Sequence, residues 1–201
     1  TALFANGVMM CAVDEAIIDL NVRSITDHRT INHLLGWKTR KGAAGNQSKE
    51  DRTCWAVWGI NPLNSEDVRF GVQIKPDHPR NNDDGKPIKY ESRYGKGEAS
   101  QPLFLQVPDP IWEKIAAKWA VPILPEAYAK GFWQWVLDNP RIPVTITEGA
   151  KKAGALLSYD FVSISVAGVS NGQFLGELNP YLAPFCQVGR KIYLGYDSDL
   201  H

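Results

Sequence analysis

The sequence is short of the residues that build the commonest compact sites. Its three cysteines, Cys11, Cys54 and Cys186, are odd in number and far apart, and no Cys-x-x-Cys occurs. His28, His33, His78 and His201 stand at no spacing that would join them into a ligand set. These absences argue against a disulfide framework or a zinc site, and a reducing cytoplasm is the expected setting. No apolar run approaches the roughly 20 residues of a membrane span. The opening Thr1-Ala2-Leu3-Phe4 lacks the basic start of a signal peptide. Asn46-Gln47-Ser48 matches a glycosylation sequon, which has no meaning in a cytoplasmic protein. The formal net charge is zero, so no global polycation announces a nucleic acid and any such signal has to be local. Internal repeats and low-complexity segments are also missing.

What is present suits a folded domain. At 201 residues the chain can hold one good core or two small subdomains packed together. Its seven tryptophans are more than a disordered chain would carry. Trp55, Trp58, Trp112, Trp119, Trp133 and Trp135 are read mainly as packing residues.

Residues 12–36 read as two short helices. Asp14 caps the first, which carries Ile17, Ile18 and Leu20; Thr30 caps the second, which carries Ile31, Leu34 and Leu35 and stops at Gly36. Lys38 to Arg52 is polar and aperiodic, a loop. Trp55 to Trp58 is a short apolar strand. From Val68 to Lys75 the pattern alternates, with Val68, Phe70, Val72 and Ile74 on one face and Arg69, Gly71, Gln73 and Lys75 on the other. Lys86 to Tyr90 and Leu103 to Val107 read as further strands, so an antiparallel sheet with one wet face is expected. Pro108-Asp109-Pro110 starts a helix, with Asp109 as cap. A second runs from about Pro125 to Leu137, stopped by Asn139-Pro140. From Arg141 the order is strand, helix, strand, long connection, strand, which implies parallel pairing with right-handed crossovers.

The expected fold is thus α/β in its last part and α+β overall: residues 1–140 form an N-terminal helical and antiparallel subdomain, and residues 141–201 a parallel sheet. In that sheet two apolar strands end in acid. Pro143-Val144-Thr145-Ile146-Thr147 runs into Glu148-Gly149, and Lys191-Ile192-Tyr193-Leu194-Gly195-Tyr196 into Asp197-Ser198-Asp199. Open α/β sheets carry their sites at the carboxyl ends of strands. Glu148, Asp197 and Asp199 can meet there to hold Mg²⁺, which needs one or two carboxylates plus substrate phosphates. Gly149 opens a turn into a helix whose first N–H groups can take a phosphate oxygen. Lys151 and Lys152 sit in its first turn, where the dipole disfavours cations and a phosphate would offset the conflict. The plain alternative is a strand-to-helix turn, a solvated terminal Asp-Ser-Asp and a wet lysine pair.

The segment from Pro143 to Asp199 resembles a Toprim domain, the catalytic module of bacterial-type primases, topoisomerases and some nucleases. Glu148 and Gly149 match its first motif, Gly168 in Val166-Ala167-Gly168-Val169 its central glycine, and Asp197 with Asp199 its last. Thr147-Glu148-Gly149-Ala150-Lys151-Lys152-Ala153 is similar to an uncharacterised Toprim-like family of plasmid and phage replication proteins, which often carry a helicase region. The resemblance implies a Rossmann-like parallel sheet, Glu148 as general acid/base or metal ligand, and Asp197 and Asp199 as ligands to Mg²⁺ or Mn²⁺. A complete Toprim sheet has another strand and helix after the last motif, so the chain is expected to be a fragment with that sheet truncated.

Between Val68 and Gly97 seven basic residues face four acids, for a net +3, with Tyr90 and Tyr94 interleaved. Basic side chains neutralise phosphates and aromatic rings stack on bases, although a solvated sheet face has the same composition. In bacterial-type primases a small subdomain before the Toprim module offers a basic surface to template and nucleotides. Phe70-Gly71 to Arg80, then Lys86 to Tyr90, then Leu103-Phe104-Leu105, are similar to its motifs in order and spacing. Arg69, Lys75, Arg80, Lys89 and Tyr90 are therefore the expected nucleic-acid contacts, with Gly149, Lys151 and Lys152 at the phosphates. The expected activity is primase-type nucleotidyl transfer on single-stranded DNA from nucleoside triphosphates, possible alongside a fused or associated helicase. The alternatives are a Toprim-type nuclease and a non-catalytic DNA-binding module of a replication initiator.

Overall fold

The computed structural model describes residues 12–36, 53–64, 69–93 and 97–196. The expected loop from Lys38 to Arg52 falls wholly outside them, as do Val68, Tyr94, Lys96, Asp197 and Asp199. The fold is α+β, an antiparallel sheet followed by a three-stranded parallel sheet, with helices packed on both.

The first helix, α1 (Glu15–Asn21), is capped by Asp14, whose carboxylate accepts from Ala16 N. It leads directly into β1 (Val22–Ile25), a strand too short and too polar to stand out in the sequence. Helix α2 (His28–Leu35) is capped by Asp27 and not by Thr30. The Asp27 carboxylate accepts from Arg29 N, Thr30 N and the Thr30 hydroxyl, an acceptor set that a lone threonine cannot match. Gly36 ends the helix in the left-handed region, as expected.

Strands β2 (Cys54–Gly59), β3 (Phe70–Pro76) and β4 (Glu91–Ser92) complete an antiparallel sheet in the order β1-β2-β3-β4. Neither face of β3 is wet. Phe70 through Ile74 are all buried, which corrects the expectation of one solvated face. The cause is a bulge. Val57 pairs with Gln73 but Gly59 pairs with Phe70, so β3 carries one extra residue, accommodated at Gly71 with φ +64°. The bulge breaks the alternation. Val72 and Ile74 pack on α2 with Ile31, Leu34 and Leu35. Phe70 turns instead into the main core, against Phe104 and Tyr181.

Lys86–Tyr90 and Leu103–Val107 are not strands of this sheet. The first makes a single bridge, Asn81 to Pro87, a proline that cannot donate to a ladder. The second is buried extended chain from Leu103 to Leu105. It bridges Leu103 to Ser165 in both directions, at 2.7 and 3.2 Å, while Ile60 N donates to Phe104 O at 3.0 Å. This segment is therefore a strut hydrogen-bonded to both halves.

Helix α3 (Asp109–Trp119) starts with Pro108 at its cap; Asp109 lies in the first turn, where its charge suits the dipole, and makes no capping bond. The expected single helix after it is two, α4 (Pro125–Lys130) and α5 (Phe132–Asp138), because Gly131 at φ +87° breaks the path. Strand β5 (Val144–Glu148), helix α6 (Ala150–Ser158), strand β6 (Ser163–Val166) and strand β9 (Ile192–Gly195) form the parallel unit, in the spatial order β6-β5-β9. The connection from β6 to β9 holds a small hairpin, β7 (Gln173–Phe174) and β8 (Glu177–Leu178). One apolar cluster runs from Val57 and Phe70 through Phe104 and Trp133 to Ile146, Leu157 and Phe185, on both sides of residue 140. Arg190 is buried in it and pairs with no carboxylate among the described residues. Its guanidinium donates to Val136, Leu137 and Ile142 carbonyls, two of them at the end of α5, where the helix dipole favours a cation.

Candidate functional site at the carboxyl edge of the parallel sheet

The strand order places β5 between its two successors. The chain leaves β5 through α6 to reach β6 on one side, and returns past β5 to β9 on the other. Such a reversal opens a crevice beyond the strand ends, and ligands of open α/β sheets bind there. Glu148 is the last residue of β5 and therefore stands at that point, half-buried.

Gly149 follows with φ +83° and ψ +139°, a conformation open to glycine almost alone, and it turns the chain from strand into α6. Space beside it is empty: an added Cβ would meet nothing within 4 Å. Its N–H donates to Val166 O at 3.2 Å, tying the turn to the end of β6. Ala150 N donates to the side-chain oxygen of buried Gln73 at 3.1 Å. A residue of the antiparallel sheet thus caps the helix that leaves the candidate site.

Tyr196 stands at the same edge, on the β9 side. It follows β9 directly, and Thr147, next to Glu148, is the ladder partner of Gly195. The Thr147 hydroxyl donates to Gly195 O at 2.7 Å. Burial pushes the Tyr196 phenol above its usual range, and the nearby Glu148 carboxylate pushes it the same way. Tyr196 packs against the main core and also lies near the Glu148 carboxylate. Asp197 and Asp199 lie outside the described residues. Among the described residues no group of three His, Cys, Asp or Glu is gathered as for a metal, so Glu148 is the one carboxylate of the expected set that is placed.

Two lysines lie in the first turn of α6, Lys151 and Lys152. Both are half-buried. Burial holds the Lys151 ammonium below the usual lysine range, and its Nζ lies 5.8 Å from the centre of the Trp55 ring.

The expected basic surface is divided. Lys75 is the cross-strand partner of Trp55, and Gln73 lies two residues before it on the same face, toward α6. Tyr90 meets the Trp55 ring edge-on at 6.0 Å. Lys75, Tyr90 and Lys151 are thereby brought around one indole. Arg80 is elsewhere. Its guanidinium grips Glu91 through three contacts of 3.1–3.2 Å, and Glu91 partners Ile74, on the face that packs against α2. The Glu91 carboxylate is 8% exposed, so Arg80 neutralises a buried acid and does not continue the Lys75 surface. Arg69 and Lys89 are exposed. Trp55 and Gln73 were missed as site residues. The signal available for them was the alternation itself, which put Gln73 beside Lys75.

Residues 132–201 match a family model described as a domain of unknown function (DUF3854). The chain is also similar to an uncharacterised protein of Picosynechococcus sp., at 43% identity over 158 residues, 72% of this chain and 15% of that protein. The chain spans about 15% of the length of this curated relative. No solved structure matches it at a significant level. The family match begins at the start of α5 and takes in β5, Glu148, α6, β6 and β9, the whole parallel unit. Among the described residues no helix is long and apolar enough to cross a membrane.

Proposed function

We propose that this chain carries the nucleotidyl-transfer centre of a primase-type protein of plasmid or phage replication, acting on single-stranded DNA with nucleoside triphosphates. The observation that carries the reading is Glu148 at the strand-order reversal, followed at once by a glycine turn into a helix with two lysines in its first turn. A carboxylate beside helix-terminal N–H groups is the pairing that phosphoryl chemistry uses: an oxygen ligand or proton acceptor next to donors for phosphate.

Glu148 fits Mg²⁺ or Mn²⁺ in donor type, since these ions take hard oxygen ligands and keep several positions for water and phosphate. In this reading Asp197 and Asp199, which follow Tyr196 in sequence, supply the remaining carboxylates. Bound metal would activate the attacking 3′-hydroxyl and stabilise the leaving pyrophosphate. The chain's own part is to orient. Glu148 accepts or relays a proton at the reacting oxygen, Lys151 and Lys152 hold phosphate oxygens, and Gly149 leaves room for a phosphate to approach the backbone. Tyr196 bounds the crevice and limits water.

The test is labelled nucleotide incorporation on primer-free single-stranded DNA with Mn²⁺, using the full-length protein that contains these residues, beside a nuclease assay on the same DNA. Template-dependent products reduced about a hundredfold or more by Glu148→Gln support the reading. Shortened DNA without synthesis would replace it with the Toprim-type nuclease, and neither product with a non-catalytic binding module. A fused or associated helicase belongs to the same proposal and is not required by it.

A further inference from the structure

Among the tryptophans, Trp55 is in an unusual position. Trp133 and Trp135 are buried and donate their N–H groups to Leu105 O and Pro122 O. Trp112 lies within an aromatic cluster with Tyr128, Phe132 and Trp135. Trp55 is half-buried, as Trp58 and Trp119 are, and packs in part against the main core; its surroundings set it apart. A tyrosine ring meets its edge and two cations flank it, Lys75 on the facing strand and Lys151 from α6. Neither lysine forms an ion pair among the described residues.

Packing alone accounts for the aromatic pair but not for the cations. Lys151 is desolvated enough to depress its pKa, and it sits in the first turn of a helix, where the dipole opposes positive charge. Cation–π attraction to Trp55 offsets part of this. An anion arriving beside Lys151 would relieve both penalties. A flat ring stacked on the exposed part of half-buried Trp55 would extend an aromatic contact already made by Tyr90. A single strand offers these two groups together, phosphate and base, at the spacing of one nucleotide.

We infer that Trp55 is a base-stacking platform for single-stranded DNA, with Tyr90 bracing the ring and Lys75 and Lys151 taking the adjoining phosphates. This rests on the reading of the carboxyl edge as a nucleotidyl-transfer site and names how the strand is held beside it. The link is Gln73, which joins the Trp55 sheet to the start of α6 at Ala150, two residues from Glu148 in sequence.

The experiment is fluorescence anisotropy of the full chain with a labelled oligodeoxythymidine of roughly a dozen nucleotides, and with an abasic oligomer of equal length, across a salt series. The wild type is expected to bind the base-bearing strand about tenfold more tightly. Trp55→Leu, which keeps an apolar side chain for packing, should lose most of that ratio with its salt slope unchanged. Trp55→Phe should keep most of it. Lys75→Ala should do the reverse, lowering the salt slope by about 0.7 and leaving the ratio intact. Equal binding of abasic and base-bearing strands by the wild type overturns the inference, as does an unchanged ratio in Trp55→Leu. Free nucleoside triphosphate that displaces the strand competitively in wild type but not in Trp55→Leu overturns the strand assignment. Base-dependent binding without any nucleotide incorporation sinks the nucleotidyl-transfer reading and leaves the platform standing. Incorporation without base-dependent binding does the opposite.

Discussion

The antiparallel and parallel sheets use small residues for opposite purposes. In the antiparallel sheet glycine lets chains touch: a Cβ on Gly59 would lie 1.8 Å from Phe104 O, and one on Gly71 would lie 2.3 Å from Pro102 O. In the parallel sheet a Cβ on Gly149 would meet nothing within 4 Å, and its positive φ is what matters. The first sheet is clasped, the second left open at its carboxyl edge. Segment 102–105 makes the clasp and also bridges β6, so both sheets share one frame. A site drawing Glu148 and Lys151 from one sheet and Trp55 and Lys75 from the other depends on that frame.

The sharpest way to break the comparison is to put alanine at both kinds of glycine. Gly59→Ala should cost about 3 kcal/mol or more, because its Cβ would meet backbone that cannot move aside. Gly149→Ala should cost about 1–3 kcal/mol, from backbone strain alone. Denaturant titration of the two variants checks the order; equal losses would mean that close packing and turn geometry are not separated between the sheets. Gln73→Leu comes next. It leaves the buried Ala150 N–H without an acceptor, at an expected cost of about 1–2 kcal/mol, and hydrogen exchange at the start of α6 should speed up with it.

Asp27 gives the smallest effect and a pH signature. Its hydrogen bonds from the Thr30 side chain and backbone, then from Arg29, hold its carboxyl below the usual aspartate range in the fold, although the residue is exposed. A carboxyl depressed on folding contributes stability above its unfolded pKa and loses it as pH falls through the folded value. Thermal melts of wild type and Asp27→Asn should therefore differ at pH 7 and converge toward pH 2–3, near and below the ordinary carboxylate range. A constant difference at all pH values would show that the charge has no part in capping α2.

The contrast between sheets also explains what could be read from sequence. The parallel unit was legible because its strands are short apolar runs, the first stopping at Glu148-Gly149 and the last running into Asp197-Ser198-Asp199, each stop being local chemistry. Strand β3 misled because its alternation is real in sequence and is broken in space by Gly71, whose need to bulge comes from Pro102 and Leu103, some thirty residues away. Arg80 misled for a related reason. Its partner Glu91 is an unremarked acid in a loop-like sequence, and only the pairing of β4 with β3 buries it. The contacts of Gln73 with Ala150 and of Trp55 with Lys151 join segments far apart in the chain, and only the fold brings them together.

The central claim is that the open carboxyl edge at Glu148 is the reacting centre, and metal affinity tests it most directly. Isothermal calorimetry of Mn²⁺ with the full chain should show weak binding that falls about tenfold or more in Glu148→Gln, with an unchanged melting temperature and with Glu91→Gln as a control that alters stability but not metal affinity. Equal Mn²⁺ binding by wild type and Glu148→Gln would contradict the account.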